Sequence, residues 1–96
     1  MAASFSVQTS PHFERQFKKL KARHAELIST LTEAIDILKV DPYNRTKRRA
    51  IKKLVGKQAL DGQWRLRIGR WRFRYDILGQ VVELKYCGLR RENTYS

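Results

Sequence analysis

The chain has 96 residues, enough for one compact domain (1–96) with a modest core and no room for a second. Twenty-one Lys and Arg against nine Asp and Glu give a formal charge of +12, which points to a polyanionic partner, phosphate above all. A single cysteine, Cys87, excludes an intrachain disulfide, and no apolar stretch approaches membrane-spanning length.

In chain order, SFSVQT at 3–8 reads as a short strand. Ser10 before Pro11 is a helix-start signal, and Phe13, Phe17 and Leu20 recur at helical spacing, giving a helix over about 10–21. A break near Ala22–His24 leads to a second helix. Its apolar stripe is Leu27, Ile28, Leu31, Ala34, Ile35 and Leu38, and Asp41-Pro42 stops it. Both stripes are read as core. Residues 43–63 form a basic connection, extended or helical at Ile51–Val55. It contains the run RTKRRAIKKLVGK, with seven basic side chains and no acidic one, Lys52 and Lys53 among them.

The stretch GQWRLRIGRWRFRYD at 62–76 alternates apolar residues with arginines. Strands over 63–69 and 71–78, joined by Gly69-Arg70 as a type II′ turn, pair Ile68 with Trp71, Leu66 with Phe73 and Trp64 with Tyr75. The same register sets Arg67 opposite Arg72 and Arg65 opposite Arg74, and like charges so opposed are destabilising. A second turn at Gly79-Gln80 leads into VVELKYC at 81–87, with Val82, Leu84 and Tyr86 expected to extend the apolar face. The fold class is α+β: two N-terminal helices on one face of a small antiparallel sheet, in the order β-α-α-β-β-β, with the arginine face open. The second half of the chain, residues 45–96, carries +11 of the +12.

His12 and His24 are too widely spaced for a helical ligand pair, and no phosphate-loop or dinucleotide fingerprint is present, so no cofactor is expected. Asp76 with Glu83-Leu84-Lys85 imitates the acidic residue plus E-x-K of metal-dependent nucleases. The register sets Asp76 opposite Glu83, with Arg74 and Lys85 placed to neutralise both, so no metal site is assigned. The start MAASFSVQTS lacks the basic and apolar runs of a signal peptide, and the expected location is the cytoplasm, with no membrane partner.

K-K-L-V-G at 52–56, W-R-L-R-I-G at 64–69, W-R-F-R-Y at 71–75 and the terminal G-x-R-R-x-x-x-Y resemble the RelE/ParE superfamily of toxins from toxin–antitoxin pairs, over nearly the whole chain. The resemblance implies a RelE-like α+β fold and an acidic antitoxin that wraps and inhibits the toxin. For the RelE branch it implies ribosome-dependent, metal-independent mRNA cleavage, that is, an endoribonuclease inhibiting translation; the ParE branch acts on DNA gyrase. Carried over by motif, the family's basic cluster, late arginine and C-terminal tyrosine fall on Arg65, Arg67, Arg72, Arg90 and Tyr95. That assigns Arg72, Arg90 and Tyr95 to catalysis and Arg65 and Arg67 to RNA, and the basic hairpin, connection and tail add Arg74, Lys52, Lys53 and Arg91 as expected RNA contacts. The sequence departs from the family at Leu89, where histidine is common, and at Arg65 and Arg67, where some members have lysine; arginine is not a plausible general base. The alternative is a non-catalytic module, either a ParE-like toxin of gyrase or a nucleic-acid binder.

Overall fold

A computed structural model describes residues 4–56 and 61–89; Lys57, Arg90, Arg91 and Tyr95 lie outside the described residues. The elements are β1 (Ser6–Thr9), α1 (Pro11–Arg23), α2 (Glu26–Val40), β2 (Ile51–Lys53), β3 (Trp64–Ile68), β4 (Trp71–Leu78) and β5 (Val81–Leu89). They form one sheet in the order β1-β5-β4-β3-β2, with α1 packed against β5 and α2 against β1 and β3.

Ser10 caps α1 as its residue type demands, its hydroxyl accepting the Phe13 amide at 3.1 Å, and Pro11 opens the first turn. The helical stripes bury Phe13, Leu27, Ala34, Ile37 and Leu38 against Leu66, Trp71, Phe73, Tyr75, Val82, Leu84 and Cys87. Ile28 departs from its expected place in the stripe and is 55% exposed. It lies in the first turn of α2, one residue on from the fully buried Leu27. Opposite that corner, Arg70 reaches from the β3–β4 turn to Glu26, donating from Nη2 to Oε2 at 2.6 Å.

The β3–β4 pairing is the one read from the sequence, residue for residue from Trp64↔Tyr75 to Ile68↔Trp71. Gly69 has φ +58° and Arg70 does not share the positive φ, the combination a type II′ turn requires.

Three features depart from the expected sheet. First, β1 pairs with β5 in parallel, Ser6↔Val81 to Thr9↔Leu84, so the sheet is mixed. A parallel pair needs a long crossover, and here the helices and three strands supply it. Second, the basic connection contributes a fifth strand, β2, antiparallel to β3. Third, β5 carries a bulge. Arg74 opposes Tyr86 while Tyr75 opposes Leu84, leaving Lys85 without a ladder partner. Beyond the bulge Cys87 faces the core, and Tyr86 lies on the opposite face, not on the apolar one as alternation from Leu84 suggested. The Cys87 amide donates instead to Gln16 Oε1 of α1 at 3.3 Å.

Candidate nucleic-acid interface

Residues in register share a face, so the pairings set side chains in rows across the sheet. One row is Lys52, Arg65, Arg74 and Tyr86; the next is Arg67, Arg72 and Gly88. Five cations therefore share the face turned away from the helices. Among the described residues no carboxylate forms an ion pair with Arg67 or Arg72. Arg72 is half-buried, and its enclosed Nε has no acceptor among the described residues.

Lys53 does not join this group. Its register partner is Trp64, on the helix face, and its Nζ stands 5.7 Å from the Trp64 ring centroid. Arg74 is on the face, but two of its donors are engaged. Nε donates to the Gly62 carbonyl at 3.1 Å and Nη2 to the Asp61 carbonyl at 2.5 Å. Asp76 completes the clamp, its two oxygens accepting the Gly62 and Gln63 amides at 2.9 Å each. Gly62 has φ +75°, and a Cβ there would stand 3.2 Å from both Cβ and Nε of Arg74. Backbone conformation and close approach both select glycine.

The clamp also accounts for the carboxylates that imitate a nuclease site. Asp76 is only 3% exposed and bound to backbone, and Glu83 opposite it pairs with Lys85 at 2.6 Å. Among the described residues no three metal-ligating side chains come together.

Between β2 and β5 lies a shallow pocket of about 360 Å³ lined by Leu54, Arg65, Arg72, Arg74, Tyr86 and Leu89. Sequence reasoning missed Tyr86, Leu54 and Leu89 as members. The signal available was the apolar spacing in β5, which runs 82, 84 and then 87, 89; a step of three inside a strand marks a bulge.

A second basic segment, the loop from Asp41 to Ala50, is held by two polar side chains. Asp41 accepts the Arg45 amide at 2.7 Å and the Thr46 hydroxyl at 2.6 Å. Burial by itself raises its carboxyl, but the Thr46 hydroxyl, the Arg45 and Thr46 amides and the nearby Arg49 charge hold it below the ordinary carboxylate value. Asn44, at φ 56°, accepts the Arg49 amide at 3.1 Å and donates to the Arg49 carbonyl at 3.0 Å. Arg45, Lys47, Arg48 and Arg49 are all exposed on this fixed loop. No described helix is long and apolar enough to cross a membrane.

No protein-family model matches the chain, and no curated protein matches it either. Among solved structures it is similar to a chain of the toxin–antitoxin complex RelBE2 from Mycobacterium tuberculosis, with a TM-score of 0.70 and 23% identity over 94% of this chain and 95% of that one. It is also similar to a chain of the archaeal RelE–RelB complex from Pyrococcus horikoshii OT3, with a TM-score of 0.60 and 22% identity over 93% and 98%. The element order of this chain matches that of these neighbours. At that identity the likeness is one of architecture: the chain has the RelE fold.

Proposed function

We propose that this protein is the toxin of a toxin–antitoxin pair and cleaves mRNA on the ribosome without a metal ion. The observation that carries the reading is the row arrangement of Lys52, Arg65, Arg67, Arg72 and Arg74 on the open face of a RelE-type sheet. RNA can be cut when its 2′-OH attacks the adjacent phosphorus and the 5′-oxygen leaves. Negative charge builds on the phosphoryl oxygens in that step. Guanidiniums fixed on strands suit it, because their forked donors match phosphate geometry and need no reorganisation as charge develops.

Arg72, with its enclosed Nε, is assigned to this charge, and Arg65, Arg67 and Lys52 to positioning the backbone. Arg74 shapes the 61–63 loop and lends its charge. Arg90, Arg91 and Tyr95 enter through the resemblance: Arg90 or Arg91 as a second cation at the phosphate, Tyr95 as the group that exchanges a proton. An acidic antitoxin, partly disordered when free, fits a +12 partner and folds as it covers the face. The cytoplasm, where ribosomes and mRNA meet, is the proposed location.

The test is purified ribosomes programmed with mRNA. Cleavage of mRNA on the ribosome, with the same mRNA left intact when ribosomes are omitted, supports the reading. Inhibition of gyrase supercoiling with no cleavage transfers the protein to the gyrase branch, and cleavage of naked nucleic acid that stops on chelation points to a metal nuclease.

A further inference from the structure

Tyr86 is the one aromatic side chain on the arginine face among the described residues, and it is 37% exposed. Its ring leans along β5: a Cβ built on Gly88 would stand 2.5 Å from the phenolic oxygen, 2.9 Å from Cζ and 3.1 Å from Cε2. Gly88 is buried beneath it. Glycine at 88 is therefore what lets the ring lie down over the sheet toward the row of Arg67 and Arg72. Among the described residues Tyr86 makes no hydrogen bond, ring contact or ion pair with another residue.

The pocket beside it combines two chemistries. Arg65, Arg72 and Arg74 offer cationic donors, while Leu54 and the Tyr86 ring offer apolar walls. A bare phosphate needs only the donors. A nucleotide uses both, its phosphate on the guanidiniums and its base against the ring.

We propose that the Tyr86 ring, laid over Gly88, is the stacking platform for one unpaired nucleobase next to the phosphate held by Arg72. The ring, not the hydroxyl, supplies the interaction, and the role is separate from the proton transfer proposed for Tyr95. The inference rests on the reading of this face as an RNA site.

The experiment is fluorescence anisotropy of a labelled single-stranded RNA hexamer, and of a matched hexamer of abasic sugar-phosphate, titrated with full-length protein at fixed salt. Base stacking removed by alanine substitution costs roughly 5- to 150-fold in affinity. Tyr86→Ala should weaken hexamer binding within that range, while Tyr86→Phe binds like wild type. Replacing the hexamer by its abasic form should weaken wild type and leave Tyr86→Ala unchanged. Gly88→Ala, which lifts the ring, should resemble Tyr86→Ala; circular dichroism and thermal melts identify a variant that has lost its fold. Equal hexamer affinity for Tyr86→Ala and wild type overturns the inference, as does Tyr86→Phe binding as weakly as Tyr86→Ala. Ribosome cleavage by wild type is scored separately. Cleavage with no effect at Tyr86 removes only the platform, whereas the expected Tyr86 pattern without cleavage removes only the ribonuclease reading. A wild type that binds neither hexamer overturns the platform together with the RNA site.

Discussion

Arg67 and Arg72 face each other across the β3–β4 hairpin, with no carboxylate paired to either among the described residues, and Arg65 stands opposite Arg74. Such pairs cost the fold about 0.2–1 kcal/mol each relative to neutral pairs. Arg67→Thr should therefore raise the midpoint of urea unfolding at low salt, the gain shrinking as salt is added, while ribosome affinity falls. Arg72→Ala should act differently: on saturated ribosomes its single-turnover cleavage rate should drop, because the guanidinium is assigned to charge that exists only in the transition state. For Tyr95→Phe, loss of a general acid or base predicts a rate lower by about 10²- to 10⁴-fold with ribosome binding retained. A Tyr95→Phe rate within a factor of about three of wild type would remove the proton-transfer role. Asp41 tests the basic loop. Its folded pKa lies below the ordinary 3.8, so its contribution to stability is present above that pH and is lost as pH falls through the folded value. Asp41→Asn should cost about 1–3 kcal/mol at pH 7 by urea unfolding, and the gap from wild type should narrow below pH 4.

At the scale of elements, the β3–β4 hairpin was fully legible. Alternating Trp, Leu and Ile against Arg, with Gly69 at the turn, leaves one register that pairs every apolar residue with another. The helices were legible from the Ser10-Pro11 start and their stripes. What sequence could not supply was parity wherever a strand is short or interrupted. β2 has three residues, so nothing in its own pattern says that Lys52 joins the arginines and Lys53 turns toward Trp64; only pairing with β3 decides it. In β5 the bulge inverts the count, and Tyr86 passes from an expected core place to the pocket. The clamp at 61–63 was hidden for another reason, since hydrogen bonds from Arg74 and to Asp76 involve backbone groups that no side-chain pattern encodes. Gly62→Ala should cost at least about 1–2 kcal/mol from the positive φ alone, measured as a shift in unfolding midpoint.

At the scale of the whole molecule, the second half of the described chain carries two basic surfaces: the arginine face, built on strands, and the exposed loop of Arg45, Lys47, Arg48 and Arg49. The first is assigned to chemistry and the second to affinity. Substitutions in the loop should weaken ribosome binding gradually and flatten its salt dependence, leaving the cleavage rate on saturated ribosomes unchanged. Self-repulsion in a +12 chain also predicts that an acidic antitoxin, or inorganic polyphosphate in its place, raises the melting temperature in a concentration-dependent way.

The bulge in β5 behaves like a spare letter in a text read two letters at a time. Leu84 and Tyr86 already stand opposite neighbouring residues of β4, so removing Lys85 closes the ladder without turning any later residue over. Removal of a residue between Val81 and Leu84 closes the ladder only by setting Lys85 opposite Tyr75, which turns a charge toward the core. This chain thus has a position where its length can vary by one residue while both faces of the strand keep their meaning, and an alignment to a chain without the bulge that forbids a gap there will match pocket residues with core residues.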